Sequence, residues 1–205
     1  VVNTVGVDAT GRVSVVVAGI NDAPTANADT VSVSEDGSTF SSATLLANDV
    51  DPDPGDVLTL QALPATTTNG VALTLSNGTI SYASGSAYQS LAVGQSVTDS
   101  FTYTVKDNAG MQSSTTVTLT VMGANDAPTT LALTGSMVNE NAANGTTIGT
   151  LSASDIDSGD VLTFSLTNTA GGRFSVDGAT GLISVANGSL LDYETATSYQ
   201  VVGRV

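Results

Sequence analysis

The chain has 205 residues, with 4 Lys and Arg against 19 Asp and Glu, no His, Cys or Trp, and a formal charge of −15. Four basic side chains cannot neutralise a phosphate backbone, which argues against nucleic acid or an anionic membrane surface as a partner. Without His or Cys there is no ordinary catalytic triad or thiol nucleophile, so an enzyme is the poorest fit. Hydrophobic residues make up 40% of the chain, which is enough to build cores and distinguishes it from a disordered acidic tail.

An internal repeat organises the chain. Asn21-Asp22-Ala23-Pro24 returns as Asn125-Asp126-Ala127-Pro128, 104 positions later (125 − 21), which is about the length of one all-β domain. The string Ala-Asn-Asp-Val-Asp at 47–51 is followed at 153–157 by Ala-Ser-Asp-Ile-Asp, and Gly-Asp-Val-Leu-Thr occurs at both 55–59 and 159–163. The repeat predicts domains over 25–124 and 129–205, joined by linkers at 21–24 and 125–128.

Residues 1–20 favour a hairpin, with strands over Val1–Val7 and Val13–Val17 around a turn at 8–11. The same layout ends the following repeat, so we expect these residues to be the terminal hairpin of a preceding, mostly absent repeat. A two-stranded hairpin alone is marginal in water, and its partner strands must come from elsewhere.

Residues 25–124 read as one complete repeat of strands and turns. Asn77-Gly78, between alternating apolar residues, predicts a type I′ hairpin turn. Phe101, Tyr103 and Val105 alternate as a half-buried strand, and Val117, Leu119 and Val121 do the same. Only Tyr88–Val93 is expected to form a short helical turn.

Residues 129–205 begin the pattern again. Leu162, Phe164 and Leu166 alternate, as do Phe174 with Val176 and Ile183 with Val185. Val205 falls inside an expected penultimate strand. We therefore expect the last strand to follow in a longer protein or to come from a neighbouring molecule.

The acidic strings suggest metal binding. Aspartates on alternate positions of an extended loop can face one point, and the linkers add amide and carbonyl oxygens. All-oxygen ligand sets suit Ca²⁺ better than a transition metal. One such string is more often a solvated turn, since Asp and Asn are common there, but three strings repeated in order favour a cation. An EF-hand is excluded because Pro54 and Leu60 stand where its glycine and closing glutamate would be.

The third segment resembles a cadherin repeat. The resemblance rests on Glu140-Asn141, the Leu151-x-Ala153-x-Asp155-x-Asp157 string, the run from Phe174 to Ile183, and Leu191-Asp192-Tyr193-Glu194. The second segment resembles the VCBS and cadherin-like repeats of large bacterial RTX-type adhesins, through residues 45–51, residues 99–107 and the terminal Asn-Asp-Ala-Pro. The resemblance implies an all-β fold of tandem seven-stranded Greek-key β-sandwiches, similar to cadherin and immunoglobulin domains, joined by short calcium-binding linkers.

The resemblance also implies which residues hold Ca²⁺, in three sets. The first junction, at 21–24, would use Asn21, Asp22, Asp49, Asp51 and Asp107. The second junction, at 125–128, would use Glu35, Asn125, Asp126, Asp155, Asp157 and Asp160. A third junction, downstream, would use Glu140, Asp192 and Glu194. Cadherin linkers usually carry a further aspartate where Gly19 and Gly123 stand, and the middle domain lacks an Asp-Tyr-Glu string, so we expect fewer or weaker ions per junction.

The leading functional hypothesis is a calcium-rigidified spacer of a long extracellular bacterial adhesin at the cell surface. Its expected partners are the adjacent repeats of the same polypeptide. One alternative is a self-assembling filament whose neighbouring subunits exchange strands. Another is a polysaccharide-binding module, for which Tyr82 and Tyr88 are the candidate residues because sugar platforms need exposed aromatic rings.

Overall fold

The computed structural model describes residues 11–205 as an all-β chain with two sandwiches in tandem. The first sandwich packs a four-stranded sheet, in the order β1-β7-β6-β3, against a three-stranded sheet, in the order β2-β5-β4. Its strands are β1 (Asp29–Ser34), β2 (Ser38–Ser41), β3 (Thr59–Ala62), β4 (Ala72–Ser76), β5 (Thr79–Ala83), β6 (Ser96–Lys106) and β7 (Gln112–Met122). This is the predicted seven-stranded Greek-key sandwich.

Alternating side chains place the first core between these two sheets. The predicted apolar positions of β6 and β7 are all buried, as are Val33 on β1 and Ile80 on β5. The predicted hairpin joins β4 to β5, and Asn77 and Gly78 take φ angles of 49° and 77°. Both positive values are what a type I′ turn requires, so this prediction is confirmed.

The second sandwich also consists of two sheets, but its first strand pairs antiparallel with the next strand in sequence, whereas the first strand of the first sandwich pairs in parallel with the last. One sheet has the order β11-β12-β9-β8, and β10 pairs with β13 in the other, as β3 pairs with β6 in the first sandwich. Its strands are β8 (Thr129–Thr134), β9 (Thr147–Ser154), β10 (Ser165–Asn168), β11 (Phe174–Val176), β12 (Leu182–Val185) and β13 (Val202–Arg204). Its core is formed by Leu151, Phe164, Phe174, Ile183, Val185 and Leu191.

Two local predictions were wrong. Tyr88–Val93 forms turns and no helix, because Tyr88 has a φ of 67°, outside the right-handed helical region. The helix lies instead at Ser42–Leu45 (α1), where the Ser41 hydroxyl caps the first turn by accepting the N–H of Ala43. Two short 3-10 turns occupy Leu46–Asn48 and Gly188–Leu190. No helix within residues 11–205 has the length and apolar character that a membrane crossing requires.

The predicted strand over Val13–Val17 is also absent. Residues 11–20 form no strand, and Val13, Val15, Val16 and Val17 are 81–90% exposed. A strand needs a partner for its backbone groups, and this segment has none within the described part of the chain. The other half of the predicted hairpin, Val1–Val7, lies outside the described residues.

Candidate metal centres

The two linkers enter their sandwiches in the same way. An isolated bridge joins Thr25 to Val50 after the first linker, and Thr129 at the start of β8 pairs with Ser154 at the end of β9 after the second. Each residue of the second pair lies 104 positions after its counterpart in the first pair (129 − 25 and 154 − 50), the same offset as between the linkers. The backbone register of the repeat is therefore constant through the acidic loops.

This register changes the alignment of the aspartates. The Asp53 carboxylate accepts the N–H of Asp22 at 2.7 Å, as the Asp157 carboxylate accepts the N–H of Asp126 at 2.8 Å. Asp51 accepts the N–H of Asp53 at 2.8 Å, as Asp155 accepts the N–H of Asp157 at 3.0 Å. The counterpart of Asp155-x-Asp157 is therefore Asp51-x-Asp53. The sequence alignment with Asp49-x-Asp51 is wrong by two residues.

The second junction brings together carboxylates from both sandwiches and the linker. Oxygens of Glu35, which follows β1, Asp126 in the linker and Asp157 after β9 lie within 4.8 Å of one another. Asp157 also belongs to a cluster with Asp155 and Asp160 of the same size. The Asn125 side chain donates to the Asp126 carbonyl at 2.6 Å and lines an open cleft of about 260 Å³ with Asp126, Asp155 and Asp160. All six residues predicted for this junction are thus neighbours.

The electrostatics of this junction call for a cation. Glu35 is fully buried, and its Oε1 accepts the N–H of Ala124 at 2.6 Å, while Oε2 has no partner. Asp126 Oδ2 and Asp157 Oδ1 are likewise buried without a hydrogen-bond donor. Burial raises the pKa of Asp126, and the charges of Asp157, Asp36 and Asp155 raise it further. Such acceptors are costly to bury unless a positive charge compensates for them.

The first junction has a similar cluster with one unexpected member. Oxygens of Asp51, Asp56 and Asp107 lie within 4.8 Å of one another, and Oδ2 of both Asp51 and Asp56 is buried without a partner. Asp107 is buried, and a hydrogen bond from the Asn21 amide is the largest cause of its lowered pKa, ahead of those from the N–H groups of Met111 and Gly110. Asp56 was not among the residues predicted from the sequence, although its counterpart Asp160 was, and both follow the repeated glycine.

Asp49 lies in a different environment from the one predicted. Its two carboxylate oxygens accept the Tyr103 hydroxyl at 3.0 and 3.1 Å, and Oδ1 also accepts the N–H of Asn27 at 2.8 Å. Tyr103 is fully buried, and burial raises the pKa of this phenol. Asp49 therefore ties the entry of the first sandwich to β6, and the structure does not bring it into the cluster of Asp51, Asp56 and Asp107.

A third cluster lies in the second sandwich. Oxygens of Glu140, Asp192 and Glu194 come within 4.8 Å of one another, and all three residues are exposed. Glu140 accepts the N–H of Tyr193 at 3.2 Å. The Thr195 hydroxyl is the main cause of the lowered pKa of Asp192, followed by the Thr195 N–H. The three residues predicted for a downstream junction are thus adjacent.

The orphaned oxygens show that a hard cation suits these sites. Seven buried side-chain oxygens within the described residues lack a partner, and five of them belong to Glu35, Asp51, Asp56, Asp126 and Asp157 in the two junction clusters. Every potential metal-ligand atom in these clusters is a carboxylate oxygen. Ca²⁺ takes six to eight such oxygens in flexible geometry, so the residues present fit this ion.

Comparison with known families agrees with the fold. The profile of the bacterial cadherin-like domain matches residues 21–123, half of the chain, and that of the cadherin domain matches residues 136–205. The chain belongs to the bacterial cadherin-like domain family. Cadherin-like families are non-enzymatic adhesion domains that are generally extracellular, and cadherin domains generally bind Ca²⁺.

Individual cadherins share sequence and architecture with this cadherin-like chain. Human Cadherin-23 is 41% identical over 66 residues, which is 31% of this chain but only 2% of that protein. The mouse Cadherin-23 EC22-24 structure is 24% identical with a TM-score of 0.53, covering 90% of this chain and 59% of its own. The human Protocadherin-24 EC1-2 structure is 20% identical with a TM-score of 0.57, covering 91% of this chain and 94% of its own. At these identities the two structures establish the fold.

The aromatic rings suggested for sugar binding are not surface platforms of this cadherin-like chain. Tyr82 is 1% exposed, and burial raises the pKa of its hydroxyl. Tyr88 is half-buried and donates its hydroxyl to Asp99 at 3.3 Å. A stacking platform needs an exposed ring face, which Tyr82 does not present and Tyr88 presents only in part.

Proposed function

We propose that this chain is a calcium-dependent spacer from the cell surface of a bacterium, part of a longer extracellular adhesin of the VCBS or RTX type. The observation that carries the proposal is the second junction. There, partnerless buried oxygens of Glu35, Asp126 and Asp157 converge from the first sandwich, the linker and the second sandwich. A cation held by all three parts restrains the angle between the sandwiches.

Each part of the chain has a distinct role in holding the ion. Glu35 contributes from the end of β1, and Asp126 contributes from the linker. Asp155, Asp157 and Asp160 contribute from one loop of the second sandwich, in which Asp157 is shared between two clusters. Ca²⁺ supplies the positive charge that offsets their mutual repulsion. At the first junction, Asp51, Asp56 and Asp107 have the equivalent role, together with Asn21 and Asp22 of the linker and with Asp53, which lies between Asp51 and Asp56.

Thermal unfolding in the presence of different ions tests the proposal. We expect Ca²⁺ to raise the melting temperature and Mg²⁺ to raise it little, since Mg²⁺ demands near-ideal octahedral geometry. At a concentration about 100 times the dissociation constant, one site adds about 2.7 kcal/mol of stability. Equal melting temperatures in calcium and in chelator would refute the metal assignment.

Assignment of one shared site is tested by a double mutant. Asp126→Ala and Asp155→Ala should each weaken Ca²⁺ binding, and their combined effect should be less than additive because both act on the second junction. Asp36→Ala is the control: Asp36 is exposed and belongs to none of the clusters, so the loss of its repulsion of Asp126 should change calcium affinity little. Additive losses in a calorimetric titration would place the two residues at separate sites.

The corrected register makes its own prediction at the first junction. Asp53→Ala should weaken calcium binding there, because Asp53 occupies the position that Asp157 has in the second junction. Asp49→Ala should leave calcium affinity nearly unchanged and lower the melting temperature, since Asp49 is bound to Tyr103 and Asn27. The opposite pattern would restore the alignment of Asp49 with Asp155.

A second candidate function is self-assembly by strand exchange. The second sandwich has a groove of about 360 Å³ whose lining includes Leu133, Ile148 and Val201, and the exposed valines of residues 13–17 have the apolar character to fill it. Light scattering over a range of protein concentrations tests this possibility. A monomeric mass at every concentration would refute it and leave the spacer proposal intact.

A further inference from the structure

A loop between β5 and β6 touches every part of the second junction. We call residues 84–95 the junction loop; it follows β5, which ends at Ala83, and precedes β6, which begins at Ser96. It contributes no carboxylate, since its sequence is Ser-Gly-Ser-Ala-Tyr-Gln-Ser-Leu-Ala-Val-Gly-Gln. Its contacts are made by backbone groups and neutral side chains, so they do not depend on a bound ion.

The junction loop is fixed to its own sandwich at two points. The Tyr88 hydroxyl donates to Asp99, which is buried on β6 and also accepts the Thr67 hydroxyl. The Ser84 hydroxyl and the Gln89 amide both donate to the backbone carbonyl of Glu35, the second at 3.2 Å. The loop therefore holds the backbone of Glu35, whose carboxylate belongs to the metal cluster, through these hydrogen bonds.

The same loop packs against Gly123, which lies between the end of β7 and the linker. The N–H of Gly123 donates to the Gln95 carbonyl at 3.0 Å. A Cβ atom at Gly123 would lie 2.2 Å from the Leu91 carbonyl oxygen and 2.4 Å from that of Ala92, closer than any real contact. Only glycine fits, and the reason is this close approach, since the φ of Gly123 is not positive. The space that a side chain at position 123 would need is filled by the junction loop.

The loop also reaches the second sandwich directly. The N–H of Ser158 donates to the Ser90 carbonyl at 3.1 Å. Ser158 directly follows Asp157, the residue shared by the two clusters of the second junction. A hydrogen bond between neutral backbone groups thus joins the sandwiches beside the metal cluster.

We propose that the junction loop is a metal-independent brace, which positions Glu35 and restricts the second junction before any ion binds. The restriction of motion stands on the contacts alone, whereas the effect on metal affinity rests on the proposed calcium function. Groups that orient a metal ligand typically change affinity 10–100-fold when they are lost. Gly123 is a positioning residue in this scheme, because it admits the loop.

Gly123→Ala compared with Gly19→Ala tests the brace. Gly19 is the counterpart of Gly123 at the same offset of 104 (123 − 19), and a Cβ there would meet nothing within 4 Å. The chain has no cysteine, so spin labels can be attached specifically through Ser76→Cys and Ser175→Cys, two exposed strand positions in different sandwiches. Pulsed electron resonance then reports the distribution of distances between the sandwiches.

In chelator we expect Gly123→Ala to broaden this distribution, while Gly19→Ala matches the unsubstituted chain. By calorimetry, Gly123→Ala should weaken calcium binding at the second junction by about tenfold or more. Gln89→Leu, which removes a donor to Glu35 without a clash, should weaken binding in the same direction and keeps the test informative if Gly123→Ala unfolds. An unchanged distance distribution for Gly123→Ala in chelator would overturn the brace. A distribution indifferent to calcium in every variant would instead refute the spacer function and leave the brace standing.

Discussion

Replacing Glu35 with glutamine should raise stability without calcium and lower calcium affinity. Glu35 is fully buried, its Oε1 accepts the N–H of Ala124, and its Oε2 has no partner. Glutamine has the same shape and keeps an oxygen acceptor for Ala124. Its NH₂ group adds a donor where the oxygens of Asp126 and Asp157 lack one. The substitution therefore removes a repulsive charge and places a hydrogen-bond donor near these oxygens.

The size of the effect follows from the distances in the cluster. Glu35 and Asp157 have oxygens within 4.8 Å, and two unit charges at that distance repel by about 3.5 kcal/mol at an effective dielectric constant of about 20. A neutral acceptor for Ala124 forfeits about 1–1.5 kcal/mol relative to a charged one. The net gain in chelator is about 2 kcal/mol, or roughly 10 °C in melting temperature for a domain of this size.

Calcium should erase that advantage. At about 100 times the dissociation constant the unsubstituted chain gains about 2.7 kcal/mol, whereas a site weakened about 30-fold gains only about 0.9 kcal/mol. The melting curves of the two proteins should therefore separate in chelator and converge in calcium. Asp36→Asn is the comparison: it removes an exposed charge that lies outside the clusters but still repels Asp126, so it should raise the melting temperature in chelator by less than Glu35→Gln does. A lower melting temperature for Glu35→Gln in chelator would refute the argument, because it would show that Glu35 is only a structural acceptor.

Three further substitutions test the packing of each sandwich. Tyr103→Phe should cost about 1–3 kcal/mol in a denaturant titration, because it removes the one hydroxyl hydrogen that the buried Leu45 carbonyl and the Asp49 carboxylate share, while Asp49 keeps the N–H of Asn27; a loss below about 0.5 kcal/mol would contradict this. Arg173→Lys should destabilise the second sandwich by about 1–2 kcal/mol, since the guanidinium donates to two backbone carbonyls and lies 4.3 Å from the centre of the Tyr199 ring; Arg204→Lys, on β13, is the matched control. The N–H and hydroxyl of Thr180 lower the pKa of Asp177 below its ordinary 3.8, so its stabilising effect is complete above that value and is lost as pH falls through the lowered pKa. Asp177→Asn should flatten the acid limb of the melting profile, and an unchanged limb would contradict the assignment.

Local geometry explains what the sequence predicted well. The Asn77-Gly78 turn and the alternation of Phe101, Tyr103 and Val105 are set by neighbouring residues, so short patterns suffice to find them. Glu140, Asp192 and Glu194 were named from a family resemblance, and the fold brings them together across more than fifty residues. The general acidity of the junctions was also visible, because carboxylates recur in order.

The errors arose where long-range contacts decide. Asp49-x-Asp51 resembles Asp155-x-Asp157 in sequence. The pairing of Thr25 with Val50, however, sets an offset of 104, which aligns Asp155-x-Asp157 with Asp51-x-Asp53. The constant offset of 104 would have revealed Asp53 and Asp56 had it been applied throughout. The four-residue helix α1 is too short to show periodicity. Position 123 must be glycine because the carbonyl groups of Leu91 and Ala92, about thirty residues earlier in the chain, lie close to it. No local sequence pattern encodes this contact.

The parallel pairing of β1 with β7 has a mechanical consequence. The register runs from Asp29 opposite Val117 to Ser34 opposite Met122, so the strand nearest the entering linker lies beside the strand that leads into the leaving one. Force applied through the two linkers pulls these neighbours in opposite directions along their length. The backbone hydrogen bonds between β1 and β7 are then loaded together in shear and do not break one after another. Unfolding under load is governed by the rate of crossing that barrier, so this pairing makes the first sandwich resistant to rupture beyond what its equilibrium stability implies.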